Sequence, residues 1–234
     1  MASPAQRANQ NLNQVVEQLR SSRREDRLSG AALVEKLSSE HHSTQSELRR
    51  AGAVRPLVQM LRMGLLEAEV AVRAIINLVC NNHENKEAVR AEGGIPPLVT
   101  LTHLDAGQSV TRWAVWAAGA LASNNPENQN AIRKCGGVPP LVKLLGGQAE
   151  DGVVSEAAIA LVSLAFGNPE NQDAIRAAGG VAALVRALRG GRSLEATAQA
   201  VWALNCLAVD NVTNRELIRD EGGIPDLVRL LRVR

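Results

Sequence analysis

The segment EGGIPPLV, from Glu92 to Val99, decides the fold because the chain repeats it four more times in variant form. The other copies are AGAVRPLV from Ala51, CGGVPPLV from Cys135, AGGVAALV from Ala178 and EGGIPDLV from Glu221. Their first glycines lie at positions 52, 93, 136, 179 and 222, so the spacings are 41, 43, 43 and 43 residues. This period, with apolar segments between the copies, predicts a stack of helical repeats rather than a globule around one closed core.

Glycine, proline and asparagine predict where the helices of each repeat begin and end. The first glycine suits the left-handed conformation that closes a helix. Prolines such as Pro97 and Pro140 suit the first turn of the helix that follows. Asparagines recur 43 residues apart at Asn82, Asn125, Asn168 and Asn211. Because asparagine is a preferred N-cap residue, we interpret these four as helix starts rather than ligands.

The period divides the chain into a series of repeats. We expect a disordered arm at 1–11, an N-terminal capping half-repeat at 12–40, three-helix repeats at 41–81, 82–124, 125–167 and 168–210, and a partial fifth repeat at 211–234. The third helix of each full repeat is long and apolar, which predicts the core between repeats. The partial repeat lacks a third helix, so Leu227, Leu230 and Leu231 should be partly uncovered. A natural chain that continues, a bound partner or a dimer would each account for that end.

Composition argues against several classes of protein. The net charge is only +2 and the chain has one Phe and no Tyr, so neither a strong positive field nor stacking platforms for nucleic acid are expected. The N-terminus has no apolar signal-peptide core, and no apolar run is long enough to cross a bilayer. Three widely separated cysteines favour a reduced compartment, which predicts a cytoplasmic or nuclear protein.

Motifs for catalysis and metal binding are weak. Cys80 and His83 form one Cys-x-x-His pair, but no second pair stands at suitable spacing for zinc. The sequence contains neither a phosphate-binding P-loop nor a Gly-x-Ser-x-Gly motif. We therefore expect no metal, no cofactor and no enzymatic activity. Arginines at 49, 90, 133, 176 and 219 form either a basic stripe for an acidic partner or solvated cations that oppose the helix dipole.

Three helices per 41–43 residues, with Gly-Gly-[Ile/Val]-Pro-x-Leu-Val between the first and second, resemble the armadillo repeat family over residues 41–234. The resemblance implies an all-α, right-handed α-solenoid whose third helices line a concave groove. In the family that groove typically holds an extended peptide, with Asn side chains on the peptide backbone and Trp rings forming pockets.

Position matching gives the candidate groove residues. The family's Trp position holds Arg73, Trp116, Ile159 and Trp202, and its Asn position holds Asn77, Ala120, Ser163 and Cys206. The groove implied by the resemblance consists of Glu69, Arg73, Asn77, Arg112, Trp113, Trp116, Ser163, Trp202 and Asn205. Asn77, Ser163 and Asn205 would hold the ligand backbone, the three Trp would form apolar pockets, and Arg73 and Arg112 would favour acidic side chains. The alternative for the Trp residues is that they fill space between repeats.

These expectations combine into a non-enzymatic scaffold or adaptor that binds an extended or helical segment of a partner protein. Three alternatives stay open. One is a nuclear import adaptor similar to importin-α, against which the incomplete Trp and Asn positions count. The second is an architectural protein that assembles through its ends, including self-association through the C-terminal repeat. The third is an enzyme or the targeting arm of an enzyme, which would require a neighbouring domain because this sequence carries no catalytic motif.

Overall fold

Sixteen α-helices make up the regular structure of the described residues, and no strand occurs among them. A computed structural model describes residues 4–40, 42–146, 149–189 and 191–232, with side chains from residue 10 onward. The helices are α1 Pro4–Arg20, α2 Arg24–Glu40, α3 His42–Ala51, α4 Val54–Met60, α5 Leu65–Val79, α6 His83–Ala91, α7 Ile95–Thr102, α8 Ser109–Ala122, α9 Pro126–Lys134, α10 Val138–Leu144, α11 Asp151–Ala165, α12 Pro169–Ala177, α13 Gly180–Arg189, α14 Leu194–Ala208, α15 Val212–Asp220 and α16 Gly223–Leu230. The predicted all-α class is confirmed.

The helix boundaries follow from the predicted punctuation. The side chains of Asn82, Asn125, Asn168 and Asn211 each accept a hydrogen bond from the backbone N–H three residues later, as N-caps do. The first glycine of every EGGIPPLV-like segment has a positive φ between 72° and 91°. The glycine and asparagine predictions are therefore confirmed. His41, Gly147 and Gly190 lie outside the described residues, and the last two belong to the Gly-Gly pairs at 146–147 and 190–191 rather than to the EGGIPPLV-like segments.

The chain divides into two compact units, the first ending at Leu101 and the second beginning at Thr102. In the first unit α1 packs on α2, and α2 lies along α5 as a third helix would. The inner side of α1 is buried and carries Leu12, Val15, Val16 and Leu19. Helix α1 already begins at Pro4, so residues 4–11 are helical rather than the predicted disordered arm. Proline is compatible with a first helical turn, and no later Pro or Gly interrupts the helix before Arg20. Residues 1–3 lie outside the described part.

The second unit places three third helices side by side, with α11 packed between α8 and α14. Leu121, Leu164 and Leu207 are buried between them, in the 43-residue register that the sequence predicts. Close approach of α8 and α11 depends on small side chains. A Cβ added to Gly119 would lie 3.2 Å from the Cα of Ala160. This spacing brings the outward-facing side chains of neighbouring third helices into one surface.

Adjacent repeats are joined by an asparagine that sequence analysis did not single out. Three residues after each N-cap, Asn85, Asn128, Asn171 and Asn214 are fully buried. The amide nitrogen of Asn171 donates to the Leu164 carbonyl oxygen at 2.9 Å, and its Oδ1 accepts from Arg133 Nε at 2.8 Å. Arg49 donates from Nε to Asn85 Oδ1 at 2.8 Å, and Arg176 donates from Nη1 to Asn214 Oδ1 at 3.1 Å. Arg49, Arg133 and Arg176 are therefore inter-repeat clamps, a role that neither interpretation of the arginine series had predicted. Arg90 and Arg219 of the same series bond to Glu87 and Asp220 of their own helices.

The C-terminal helix α16 exposes part of its apolar surface. Leu227 and Leu230 are half-buried, and Leu231 is 86% exposed, as the sequence led us to expect. Within the described residues, no helix combines the length and apolar character needed to cross a membrane.

Candidate functional site on the third helices

Three large apolar side chains stand exposed on the neighbouring third helices of the second unit. Trp116 on α8, Ile159 on α11 and Trp202 on α14 are 50%, 41% and 56% exposed. They are spaced 43 residues apart and therefore occupy the same position in three successive repeats. We call these three residues the apolar row. Folding buries most side chains of this kind, so their alignment on one surface marks a candidate binding site.

The two tryptophans of α8 form one aromatic unit. Trp113 is half-buried and its ring stacks on that of Trp116, with centroids 5.4 Å apart and planes inclined by 15°. Trp113 thus covers one face of the exposed ring. Because Trp116 and Trp202 keep about half of their surface in solvent, filling space between repeats does not explain these two residues.

Arg112 is occupied by a carboxylate on the next helix. Its Nη2 lies 2.8 Å from Glu156 Oε1 and its Nε lies 3.3 Å from Oε2, so the pair is bidentate. The hydrogen bond and the charge of Glu156 raise the pKa of Arg112. The guanidinium group thus joins α8 to α11 beside the apolar row. We expect it to hold these two helices together. The sequence had led us to predict a different role, the selection of an acidic ligand.

The predicted residues of the first unit lie on α5. Arg73 donates to Glu35 Oε1 of α2 from Nε and Nη2, at 3.1 and 2.7 Å. Asn77 is half-buried, and its amide nitrogen donates to the Arg73 carbonyl oxygen in its own helix. Glu69 is also half-buried. Arg73 therefore fastens the N-terminal cap to the first repeat, and it has a carboxylate partner as Arg112 does.

In the second unit, most of the positions expected to bind a peptide backbone lack a suitable hydrogen-bonding side chain. Four residues after the apolar row come Ala120, Ser163 and Cys206, and only the serine carries a strong hydrogen-bonding group. Cys206 is buried, and burial raises the pKa of its thiol, although a hydrogen bond with Trp202 opposes the shift. Asn205 is exposed on α14. The amide groups available on this surface are thus few.

Two further exposed apolar residues were missed by sequence analysis. Phe166 and Val209, the C-cap residues of α11 and α14, are 63% and 51% exposed. Buried glutamines fix their backbones: Gln129 Nε2 donates to the Phe166 carbonyl oxygen at 3.2 Å, and Gln172 Nε2 donates to that of Val209 at 3.3 Å. Each follows a member of the apolar row by seven residues, about two helical turns. The 43-residue spacing between Phe166 and Val209 was the signal available in the sequence.

An open cleft of about 860 Å³ lies at the other end of α8 and α11. Its lining includes His103, Lys143 and Glu150, and Arg112 contributes its side chain from the edge. Arg112 therefore borders both this cleft and the apolar row, so its substitution would disturb two features at once. Across residues 4–232, apart from the gaps at 41, 147–148 and 190, no group of three or more His, Cys, Asp or Glu side chains is arranged to hold a metal ion.

Family models match two parts of the chain. The armadillo/beta-catenin-like repeat matches residues 125–166 and 168–205, close to the third and fourth repeats predicted from the sequence. A model described as the spinocerebellar ataxia type 10 protein domain matches residues 68–138. A search among curated proteins gives no match.

Solved structures extend the similarity to nearly the whole chain. An engineered protein is 32% identical with a TM-score of 0.88, over 95% of this chain and 89% of its own. A designed armadillo repeat protein is 30% identical with a TM-score of 0.87, over 95% of this chain and 92% of its own. Another designed armadillo repeat protein, solved in complex with the peptide (KR)4, is 32% identical with a TM-score of 0.87, over 94% of this chain and 92% of its own.

Proposed function

The chain belongs to the armadillo repeat family, and from that premise we propose that it is a non-enzymatic scaffold that binds a peptide segment of a partner protein on its third helices. The observation that carries the proposal is the apolar row of Trp116, Ile159 and Trp202. Trp is enriched among residues that dominate binding energies, and here two Trp rings stand at matching positions around an Ile. The designed relative solved with a peptide supports the same mode of use. Three free cysteines accord with the proposed cytoplasmic or nuclear location.

Peptide display on the purified protein tests this function. Binders selected on the wild type should lose about tenfold or more in affinity for Trp116→Ala/Trp202→Ala, because truncation of a central aromatic anchor costs about 2 kcal/mol or more. Met63→Ala is the matched control, since Met63 is 46% exposed between α4 and α5, outside the third helices. Circular dichroism should show that all three proteins remain folded. Equal binding by the wild type and the double variant would rule out the apolar row as the working surface.

The import-adaptor alternative has less support. Its family pattern needs Trp and Asn together in a third helix, and α8, α11 and α14 have Ala120, Ser163 and Cys206 at the Asn position. Binding of basic peptides would also call for acidic residues on this surface, whereas Glu156 is already paired with Arg112.

Assembly through the chain end is a second candidate, favoured by the apolar surface of α16. Ile224, Val228 and Leu231 are 53%, 42% and 86% exposed. Sedimentation velocity of the wild type and Leu231→Asp tests it. Self-association through α16 should appear as a size that grows with concentration in the wild type only. A concentration-independent monomer in both would exclude this role.

A further inference from the structure

We infer that the occupant of the apolar row is an amphipathic α-helix with an apolar stripe rather than an extended basic peptide. This inference rests on the proposed peptide-binding function and specifies the class of ligand. Three features of the second unit carry it: the neutral character of the surface, its scarcity of backbone-binding groups, and the continuation of apolar side chains along the third helices.

The surface around the row carries little net charge because three of the four charged residues on its helices pair with charged partners, whereas Glu195 hydrogen-bonds only the neutral amide of Gln199. Helices α8, α11 and α14 contain four charged residues: Arg112, Asp151, Glu156 and Glu195. Arg112 pairs with Glu156, and Asp151 accepts hydrogen bonds from Arg192. Glu195 accepts from Gln199 at 2.8 Å. A basic ligand would find little negative charge to complement here, and an apolar ligand would have little charge to desolvate.

The hydrogen-bonding capacity of the surface argues against an extended ligand. An extended backbone presents N–H and C=O groups that lose water on docking and need partners from the protein. At the matching positions Ala120 offers no such group, Cys206 is buried, and only Ser163 and the neighbouring Asn205 remain. An α-helix satisfies its backbone internally and therefore needs none of these partners. It requires only apolar contacts along one stripe.

The shape of the apolar surface also suits a helix. Packed helices lie about 8–10 Å apart, so neighbouring members of the row are separated by a similar distance. In an α-helical ligand, residues seven positions apart lie on one side and about 10.5 Å apart along the axis. Phe166 and Val209 widen the apolar surface along α11 and α14, which gives the ligand's i+3 and i+4 residues something to contact. The polar side of the ligand would remain in water.

Three synthetic probes test the inference. The first is a neutral peptide of about 18 residues, five turns, with a Leu stripe at helical spacing and Lys and Glu elsewhere. The second has the same composition, rearranged so that apolar residues alternate as in a strand. The third is (KR)4, the peptide found with a designed relative. None contains an aromatic residue, so the protein's intrinsic fluorescence comes only from Trp113, Trp116 and Trp202, which all lie on the third helices.

The helical probe should bind about tenfold or more tightly than the other two and shift the tryptophan emission to shorter wavelength, because Trp116 and Trp202 leave water. The circular dichroism of the mixture should gain helix. Fluorescence anisotropy of a labelled helical probe should show about tenfold or greater weakening for Trp116→Ala/Trp202→Ala and none for Met63→Ala.

The other outcomes overturn the inference in distinguishable ways. If the alternating probe or (KR)4 binds best and depends on the two tryptophans, the ligand is not a helix although the proposed function stands. If no probe saturates up to about 1 mM, the helical-ligand inference fails, and the display experiment still decides the proposed function independently.

Discussion

Removal of one buried inter-repeat clamp, Asn171→Ala, should destabilise the second unit by about 3 kcal/mol. Asn171 is fully buried, and its side chain bridges the Leu164 carbonyl oxygen and Arg133. The Leu164 carbonyl belongs to the last turn of α11, where intrahelical partners are missing, so its loss of a donor costs about 1–3 kcal/mol. The bond to Arg133 contributes less, about 1 kcal/mol, because Arg133 is partly exposed and keeps Glu170.

Thermal unfolding followed by circular dichroism measures this effect. For a chain of this length, 1 kcal/mol corresponds to about 2–4 °C, so the transition of the second unit should fall by about 6–12 °C. Asn205→Ala is the matched control, because it removes the same side chain from an exposed position of α14 and should change stability by less than about 0.5 kcal/mol. Asn171→Asp keeps an acceptor for Arg133 but turns an oxygen towards the Leu164 carbonyl, and it should be at least as destabilising as alanine. A fall of less than about 2 °C for Asn171→Ala would refute the clamp.

Three more substitutions separate steric, conformational and electrostatic effects. In Gly180→Ala the new Cβ would lie 2.8 Å from the Ile175 carbonyl oxygen, so we expect the free energy of unfolding to fall by about 1–3 kcal/mol. In Gly179→Ala the new Cβ would meet open space, but the φ of +80° strains an alanine, so we expect a fall of about 1–2 kcal/mol. Denaturant titration measures both, and an unchanged midpoint for either would contradict its stated cause. Lys86 is buried at the repeat position that Gln129 holds in the next repeat, and burial lowers the pKa of Lys86. Lys86→Gln should therefore raise the free energy of unfolding by about 1 kcal/mol. Lys86 loses its ammonium proton more readily in the folded wild type than in the unfolded chain. The stability of the wild type should therefore rise with pH as the ordinary lysine pKa of 10.5 is approached. If the wild type and Lys86→Gln show the same dependence of stability on pH, the lowered pKa of Lys86 is contradicted.

The sequence predicts the repeat boundaries well because the signals that set them are local. A glycine with positive φ and an asparagine N-cap act within a few residues of their own position, so their 43-residue recurrence can be interpreted without knowledge of the packing. The second glycine of the pair is different. At Gly180 the φ is ordinary, and glycine is required because Ile175 leaves no space for a Cβ. The role of the first glycine is therefore evident from the sequence, whereas that of the second depends on packing.

Contacts between repeats are harder to predict because their partners lie far apart in the chain. Arg112 and Glu156 are 44 residues apart, and Arg133 and Asn171 are 38 apart. Nothing in the local sequence of Arg112 distinguishes a free cation on a groove from one held by a neighbouring helix. The asparagine at 171 recurs at the 43-residue period, so its regularity was visible, but its burial depends on how α12 packs beneath α11. The function of a periodic residue follows from the stacking, which the period alone does not specify.

The residues that fold this protein differ in burial from those that are available for binding. Positions such as Leu121 and Leu164 keep apolar side chains in every repeat because they are buried between third helices. Trp116 and Ile159 also recur with the period, yet folding gains little from large apolar side chains that remain about half exposed. Periodicity without burial therefore points to a partner that completes the burial. In the first unit, the repeat position of the apolar row holds Arg73, which pairs with Glu35. The apolar row is therefore confined to the second unit, and we expect the partner to bind there.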